Sequence, residues 1–287
     1  MRINLSSSWT ASGLLIVFSA ACVAGQTAPT QNAADRAGKQ VTAYLAKLAD
    51  LHCTESVVQE KFAHNGHVES SERAKYDYLI MIDGNGDGLQ LNESRIESTS
   101  THHKPLPMLV TNGFSTVLLV FHPYYRDSFQ FEAGADEMAA GKPAIPIHFT
   151  HISGRRTPAA LALRGREFPL ELKGTAWLDK QSGDVVKMDA SLQRDMSDVG
   201  LKSLNVHVEY KPSTLGKNSA AMTLPSLAVV DVTTPRQHWR NTHVFDAYKS
   251  FSTEAEQDPN VKLHAANQVP ENDGDGAGTT TDTKEKP

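Results

Sequence analysis

Several residue patterns along these 287 residues have the types and spacing of chemical sites. Asp83, Asn85, Asp87 and Gly88 follow D-x-N-x-D-G, the first half of a calcium loop of the EF-hand type, in which oxygen ligands surround the ion. That loop closes with a Glu at its twelfth position; counted from Asp83, the place is held by Ser94, and Glu93 stands one early. The flanking residues alternate as strands, so a Gly-rich turn accounts for the string without calcium. His64 and His67 are three apart and His102 and His103 are adjacent. Zinc needs three or four ligands around one point, and these read as loop histidines, so no metal ligand is assigned. Cys53 beside His52 lacks the surroundings of a reactive thiol and reads as a buried apolar side chain. Ile152-Ser153-Gly154 lacks the leading Gly of a nucleophile elbow, and no phosphate-binding loop occurs. Arg155, Arg156, Arg164 and Arg166 cluster around a loop, either as a solvated face or as a contact for an anionic headgroup or a partner. No catalytic residue and no cofactor follow from these patterns.

The elements that would position such groups are mostly strands. A helix is expected over about 34–51, where Val41, Tyr44, Leu45 and Leu48 share a face. Alternation then predicts a β-meander through Val58–Phe62, a tight turn at Asn65-Gly66 with positive φ at both centres, Val68–Ile82, and Leu89–Glu93. A second helix is expected over about 108–121, with Val110, Phe114, Val117, Leu118 and Phe121 on one face and Pro123 stopping it. Further strands are expected around Phe129, Ile145–Phe149, Leu170–Leu178, Val186–Leu192, Leu204–Tyr210, Leu227–Val232 and Arg240–Phe251. Short turns between them indicate an antiparallel sheet with one wet face.

The chain begins as an export signal: Arg2, then no charge before Asp35, an apolar run from Leu14, and small residues before Gln26. The apolar stretch is about 12–14 residues, short of the ~20 a bilayer span needs. Cleavage after Gly25 leaves Gln26 as the new N-terminus. Ser19-Ala20-Ala21-Cys22 also resembles a bacterial lipobox, in which Cys22 would be acylated; Ser19 departs from the Leu usual there. The expected organisation is a signal peptide at 1–25, a flexible leader at 26–33, a single β domain at 34–252 and a disordered acidic tail at 253–287. The net charge is −5, and no basic face is evident, which argues against a nucleic-acid partner. No transmembrane span is expected in the mature chain. Cleavage leaves Cys53 as the sole internal thiol, so the chain depends on an ordinary core.

One hairpin resembles a known family. Gly174-Thr-Ala-Trp177-Leu-Asp179-Lys-Gln-Ser-Gly183-Asp-Val-Val-Lys is similar to the strand–turn–strand of exported LolA-like proteins, the outer-membrane lipoprotein-sorting group and its relatives. Leu224-Pro225 is similar to their turn before a strand, and the order of elements over 34–252 agrees. The resemblance implies an α+β, mostly β fold: a curved antiparallel sheet forming an open half-barrel, with one N-terminal and one internal helix on its concave face. In that family the space beneath the helices holds acyl chains or other apolar groups, and there are no catalytic residues. Phe114, Val117, Leu118, Phe121 and Trp177 would then line the cavity, or else fill a packed core. The acidic tail and Ser19 depart from the family pattern.

The expected function is that of an exported, non-enzymatic envelope protein, periplasmic or extracellular, that binds an apolar ligand, a lipid or a lipidated protein. The alternatives are an exported hydrolase with a site of scattered Asp, Glu and His, and a structural or interaction module.

Overall fold

The structure, a computed structural model, describes residues 28–48, 50–83, 89–97, 117–163, 166–215 and 221–251. The segment expected to be a signal, with Cys22, Gly25 and Gln26, the acidic C-terminal stretch, and Phe114 lie outside the described residues.

Helix α1 runs Ala28–Leu48, so residues 28–33, assigned above to a leader, are its first turns. Ala33, Ala34, Ala37, Val41, Leu45 and Leu48 are its buried stripe, at the spacing of an amphipathic helix. The small N-terminal half of that stripe hides the signal: alanines count weakly as apolar, yet they let the helix lie close. The Thr30 hydroxyl accepts a bond from the Ala133 amide at 3.2 Å, Asp35 pairs with Arg126, and Gln40 Nε2 donates to the Ser182 carbonyl at 2.9 Å.

Thirteen strands are described. They are β1 (Leu51–Phe62), β2 (Val68–Asp83), β3 (Gln90–Glu97), β4 (Phe129–Ala133), β5 (Glu137–Ala139), β6 (Lys142–His151), β7 (Ala160–Leu163), β8 (Arg166–Pro169), β9 (Leu172–Asp179), β10 (Val185–Leu192), β11 (Ser203–Ser213), β12 (Met222–Thr233) and β13 (His238–Ser250). Eleven form one sheet in the order β3-β2-β1-β13-β12-β11-β10-β9-β6-β4, with β5 also on β6. Every pairing is antiparallel. The outer strands β3 and β4 do not meet, so the sheet is open rather than a barrel. β7 and β8 form a separate two-stranded arm where the sequence indicated only an Arg-rich loop. Each is four residues long, too short for alternation to register.

Strand alternation sorts the side chains by face. Leu204, Val206, Val208 and Tyr210 of β11 and Leu224, Ala228, Val230 and Val232 of β12 are buried in the same core as α1. The expected internal helix is seen from Val117: Val117 and Leu118 lead into a 3-10 turn at Leu119–Phe121, and its residues 108–116 are not described. Pro123 does not simply stop a helix. It opens α2 (Pro123–Arg126), where its missing N–H costs nothing.

Two turns also differ from expectation. At the β1–β2 connection only Gly66 has positive φ, +82°; its amide bonds to the Ala63 carbonyl at 2.9 Å and the Ala63 amide to the His67 carbonyl at 2.9 Å. This is a three-residue loop ending in a left-handed Gly, not a two-residue turn. Leu224-Pro225 lies inside β12 rather than before it. Pro225 sits at the register shift opposite Tyr210, a place where a missing N–H is tolerated.

The β9–β10 hairpin forms as the sequence indicates. Asp179 Oδ1 accepts the amides of Gln181 and Ser182 at 2.8 and 3.2 Å, and Gly183 closes the turn. Gly174 is required by close approach: a Cβ there would lie 2.0 Å from the Asp189 carbonyl oxygen and 2.6 Å from Phe149.

Candidate functional site

The two faces of the sheet offer different chemistry. On the helix-bearing face, Val117, Leu118 and Phe121 are buried with α1 in the main core. Phe121 stacks on Phe131 at 5.4 Å between centroids, and Phe129 meets Phe149 edge-on at 6.1 Å. The described residues are closely packed there. A recess between α1 and the strands, edged by Tyr44, Leu48, Cys53, Tyr78 and Tyr248, measures about 10 Å³, about the least that admits one water.

Farther along the same face lies a buried polar island. β1 turns Leu51, Cys53, Glu55, Val57 and Gln59 inward, so two of its five inward positions are polar. Glu55 is 0% exposed and His243 on β13 is 1% exposed. Glu55 faces Phe245 across the strands, which makes His243 its diagonal neighbour. His243 Nδ1 lies 2.8 Å from Glu55 Oε1. Arg95 reaches from β3 across β2 to the same carboxylate, donating through Nη2 to Oε1 at 2.9 Å and through Nε to Oε2. Its guanidinium carbon stands 4.9 Å from the Tyr78 ring centre. Beside them Gln59 Nε2 donates to Asn241 Oδ1 at 2.9 Å.

Burial alone would push the Glu55 carboxyl up, but the bonds from His243 and Arg95 outweigh it and hold it below its usual value. An ionised carboxylate only accepts, so His243 Nδ1 carries the proton, and Nε2 of a neutral imidazole presents a lone pair. That nitrogen is buried and has no hydrogen-bond partner. Leaving such an atom unpaired costs about 1–3 kcal/mol, and the parallel Phe245 ring, 6.3 Å away, offers it nothing polar. This island was missed in the sequence, although two polar residues at inward positions of β1 were a readable signal.

The open face is polar. Across β9 to β13 the register lines up Thr175, Asp189, His207, Val229 and Thr242 in one row. Ser191, Asn205, Asp231, Arg240 and Glu60 form the next, ending on β1. A groove of about 670 Å³ runs over these rows. Asp189 pairs with His207 and, at 3.4 Å, with Lys187. Asp231 takes Arg240 at 2.8 Å and His238 at 2.7 Å.

Trp177 belongs to this groove, which corrects its expected place beside Val117, Leu118 and Phe121. Ala176 and Leu178 of β9 point into the main core, so Trp177 points to the other side. There it packs on Ala139, Ala144 and Val186, bonds Glu137 through Nε1, and has Lys187 Nζ 4.2 Å from its ring.

The remaining candidates are dispersed. His64 and His67 are exposed on the β1–β2 turn, and His102 and His103 lie outside the described residues. Strands β2 and β3 flank Asp83–Gly88, whose last five residues are not described. Arg156 lies over Tyr124 at 4.2 Å and Arg166 over Phe168 at 5.2 Å. Burial pushes the Cys53 thiol up, as an inert side chain requires. Among the described residues no group of three or more His, Cys, Asp and Glu could hold a metal ion, and no helix is long and apolar enough to cross a membrane.

No family model matches the chain, and no curated protein matches it. Solved structures similar to it include a DUF1329 family protein from Desulfovibrio piger, at 9% identity over 78% of this chain and 94% of that one, with a TM-score of 0.44. A putative outer membrane lipoprotein-sorting protein domain from Vibrio parahaemolyticus is 10% identical over 81% and 98%, with a TM-score of 0.37. MucB is 11% identical over 78% and 94%, with a TM-score of 0.28.

Proposed function

We propose that this chain is an exported, non-enzymatic binding protein that holds an amphiphile, a lipid or the acyl group of a lipidated partner, on the helix-bearing face of its sheet. The observation that carries the reading is His243 Nε2, buried and unpaired in a small polar island beside the apolar core of that face. An amphiphile needs this combination: apolar surface for its chains and one fixed polar group for its head. Glu55 and Arg95 hold the imidazole so that Nε2 accepts from a hydroxyl, amide or ammonium of the ligand. Val117, Leu118 and Phe121 are packed with α1 on that face and become the wall of the site when an acyl chain parts them from the helix, and Phe114 precedes them in the same apolar segment. Trp177 takes no part. The N-terminal segment supplies export, to the periplasm or the outside, with tethering to the envelope where Cys22 is acylated; the mass of the mature N-terminus separates release at Gln26 from acylation at Cys22.

Displacement of a fluorescent acyl probe from delipidated protein tests the binding claim. Long-chain lipids are expected to compete, and His243→Phe is expected to weaken binding while the protein stays folded. A wild-type chain that takes up no probe contradicts the reading.

Hydrolysis is the second reading, favoured by one observation: a carboxylate orienting an imidazole is also the arrangement of a general base. Arg95 on the same carboxylate counts against it, because it draws charge away from the dyad. Turnover in an ester and amide substrate panel, abolished by His243→Phe, would favour it over simple binding.

A further inference from the structure

We infer that the groove on the open face is a second binding site, for an extended neutral saccharide chain of the β-1,4-linked type. The two rows of its floor come from β9, β10, β11, β12, β13 and β1. A groove crossing six strands, each ~4.8 Å from the next, is ~24 Å long and runs across the strands. That shape suits a chain rather than a compact molecule. Its polar groups recur at the strand spacing, which is close to the advance of one sugar unit in an extended β-linked chain.

The electrostatics select a neutral ligand. Of the three acids in the two rows, Asp189 is matched by His207 and Lys187 and Asp231 by Arg240 and His238, while Glu60 at the β1 end disfavours an anionic chain. Carboxylates so paired keep spare lone pairs, and Arg240 keeps spare N–H groups. Together with Thr175, Asn205 and Thr242 they present alternating acceptors and donors, which is the complement of vicinal hydroxyls. Short side chains along the middle of the floor make the depression. Trp177 stands at one end, half-buried, with its edge fixed by Glu137 and the partly exposed Lys187 ammonium 4.2 Å over its ring; a sugar ring stacks its C–H face on the indole where that flexible side chain swings aside.

This site is independent of the amphiphile site, since it lies on the other side of the sheet. Calorimetry with cellohexaose and chitohexaose, and co-sedimentation with insoluble cellulose and chitin, test it on the full chain. Wild-type protein is expected to bind at least one chain type. Asn205→Leu and the Asp189→Asn/Thr175→Val pair are expected to weaken binding by roughly tenfold or more, the effect of leaving ligand hydroxyls unpaired. Trp177→Ala should do the same, but it also removes packing on Ala139 and Ala144; Asn205→Leu, on an exposed side chain, keeps the test decisive if that variant unfolds. His243→Phe should leave saccharide binding unchanged. Absence of wild-type binding at millimolar oligosaccharide overturns the assignment. So does binding that the floor variants leave intact.

Discussion

The two faces of this sheet carry polar groups of similar kind in opposite circumstances. On the open face, Asp231, Arg240 and His238 form a partly exposed cluster in which water shares the work of solvation. On the helix-bearing face, Glu55, Arg95 and His243 form a cluster of the same composition with almost no solvent contact. The pleat alone decides which face a residue joins. A carboxylate an odd five places along β1, Glu60, belongs to the groove, whereas Glu55 belongs to the interior. The comparison teaches that residue type does not locate a site in this fold; parity and burial do.

Arg95→Ala is the sharpest way to break that comparison. It strands the buried Glu55 charge and is expected to cost about 3–5 kcal/mol in denaturant unfolding. Phe121→Ala should cost a similar ~3–5 kcal/mol by opening a cavity under α1; a loss below about 1 kcal/mol would mean the site is loosely packed. Asp179→Ala, which removes the acceptor for two turn amides, is expected to cost about 1–3 kcal/mol. Arg240→Ala on the open face should fall within about 1 kcal/mol. Equal costs for Arg95→Ala and Arg240→Ala would erase the distinction between the faces.

Acid probes the buried cluster directly. The Glu55 carboxyl is held below its ordinary value of 4.5 when folded. Its stabilisation is therefore present above that value and is lost as pH falls through the depressed folded value. Unfolding followed from pH 7 downward should show this loss in the wild type and a flatter profile in Glu55→Gln.

Much of the architecture was legible in the sequence, because period-two alternation in β9 to β13 reflects a sheet with one buried face. The Gly174–Gly183 hairpin was legible for a local reason: a close approach and an Asp-capped turn each demand specific residues. The start of α1 was not, because its docking stripe is built from alanines that carry little hydrophobic signal. The resemblance implies Trp177 beside Val117, Leu118 and Phe121, but its neighbours Ala176 and Leu178 hold the inward positions of β9. The polar island was hidden for a deeper reason. Glu55, Arg95 and His243 come from strands far apart in the chain, and only the β1–β13 pairing and the reach of Arg95 across β2 unite them.

The central claim is that the helix-bearing face holds an amphiphile at His243. Mass spectrometry of an organic extract of the purified full chain tests it most directly, with folded His243→Phe protein extracted in parallel. The account predicts an acyl-bearing molecule in near-stoichiometric amount from the wild type and much less from the variant. A wild-type extract without such a molecule, from protein that also fails to take one up, would contradict it.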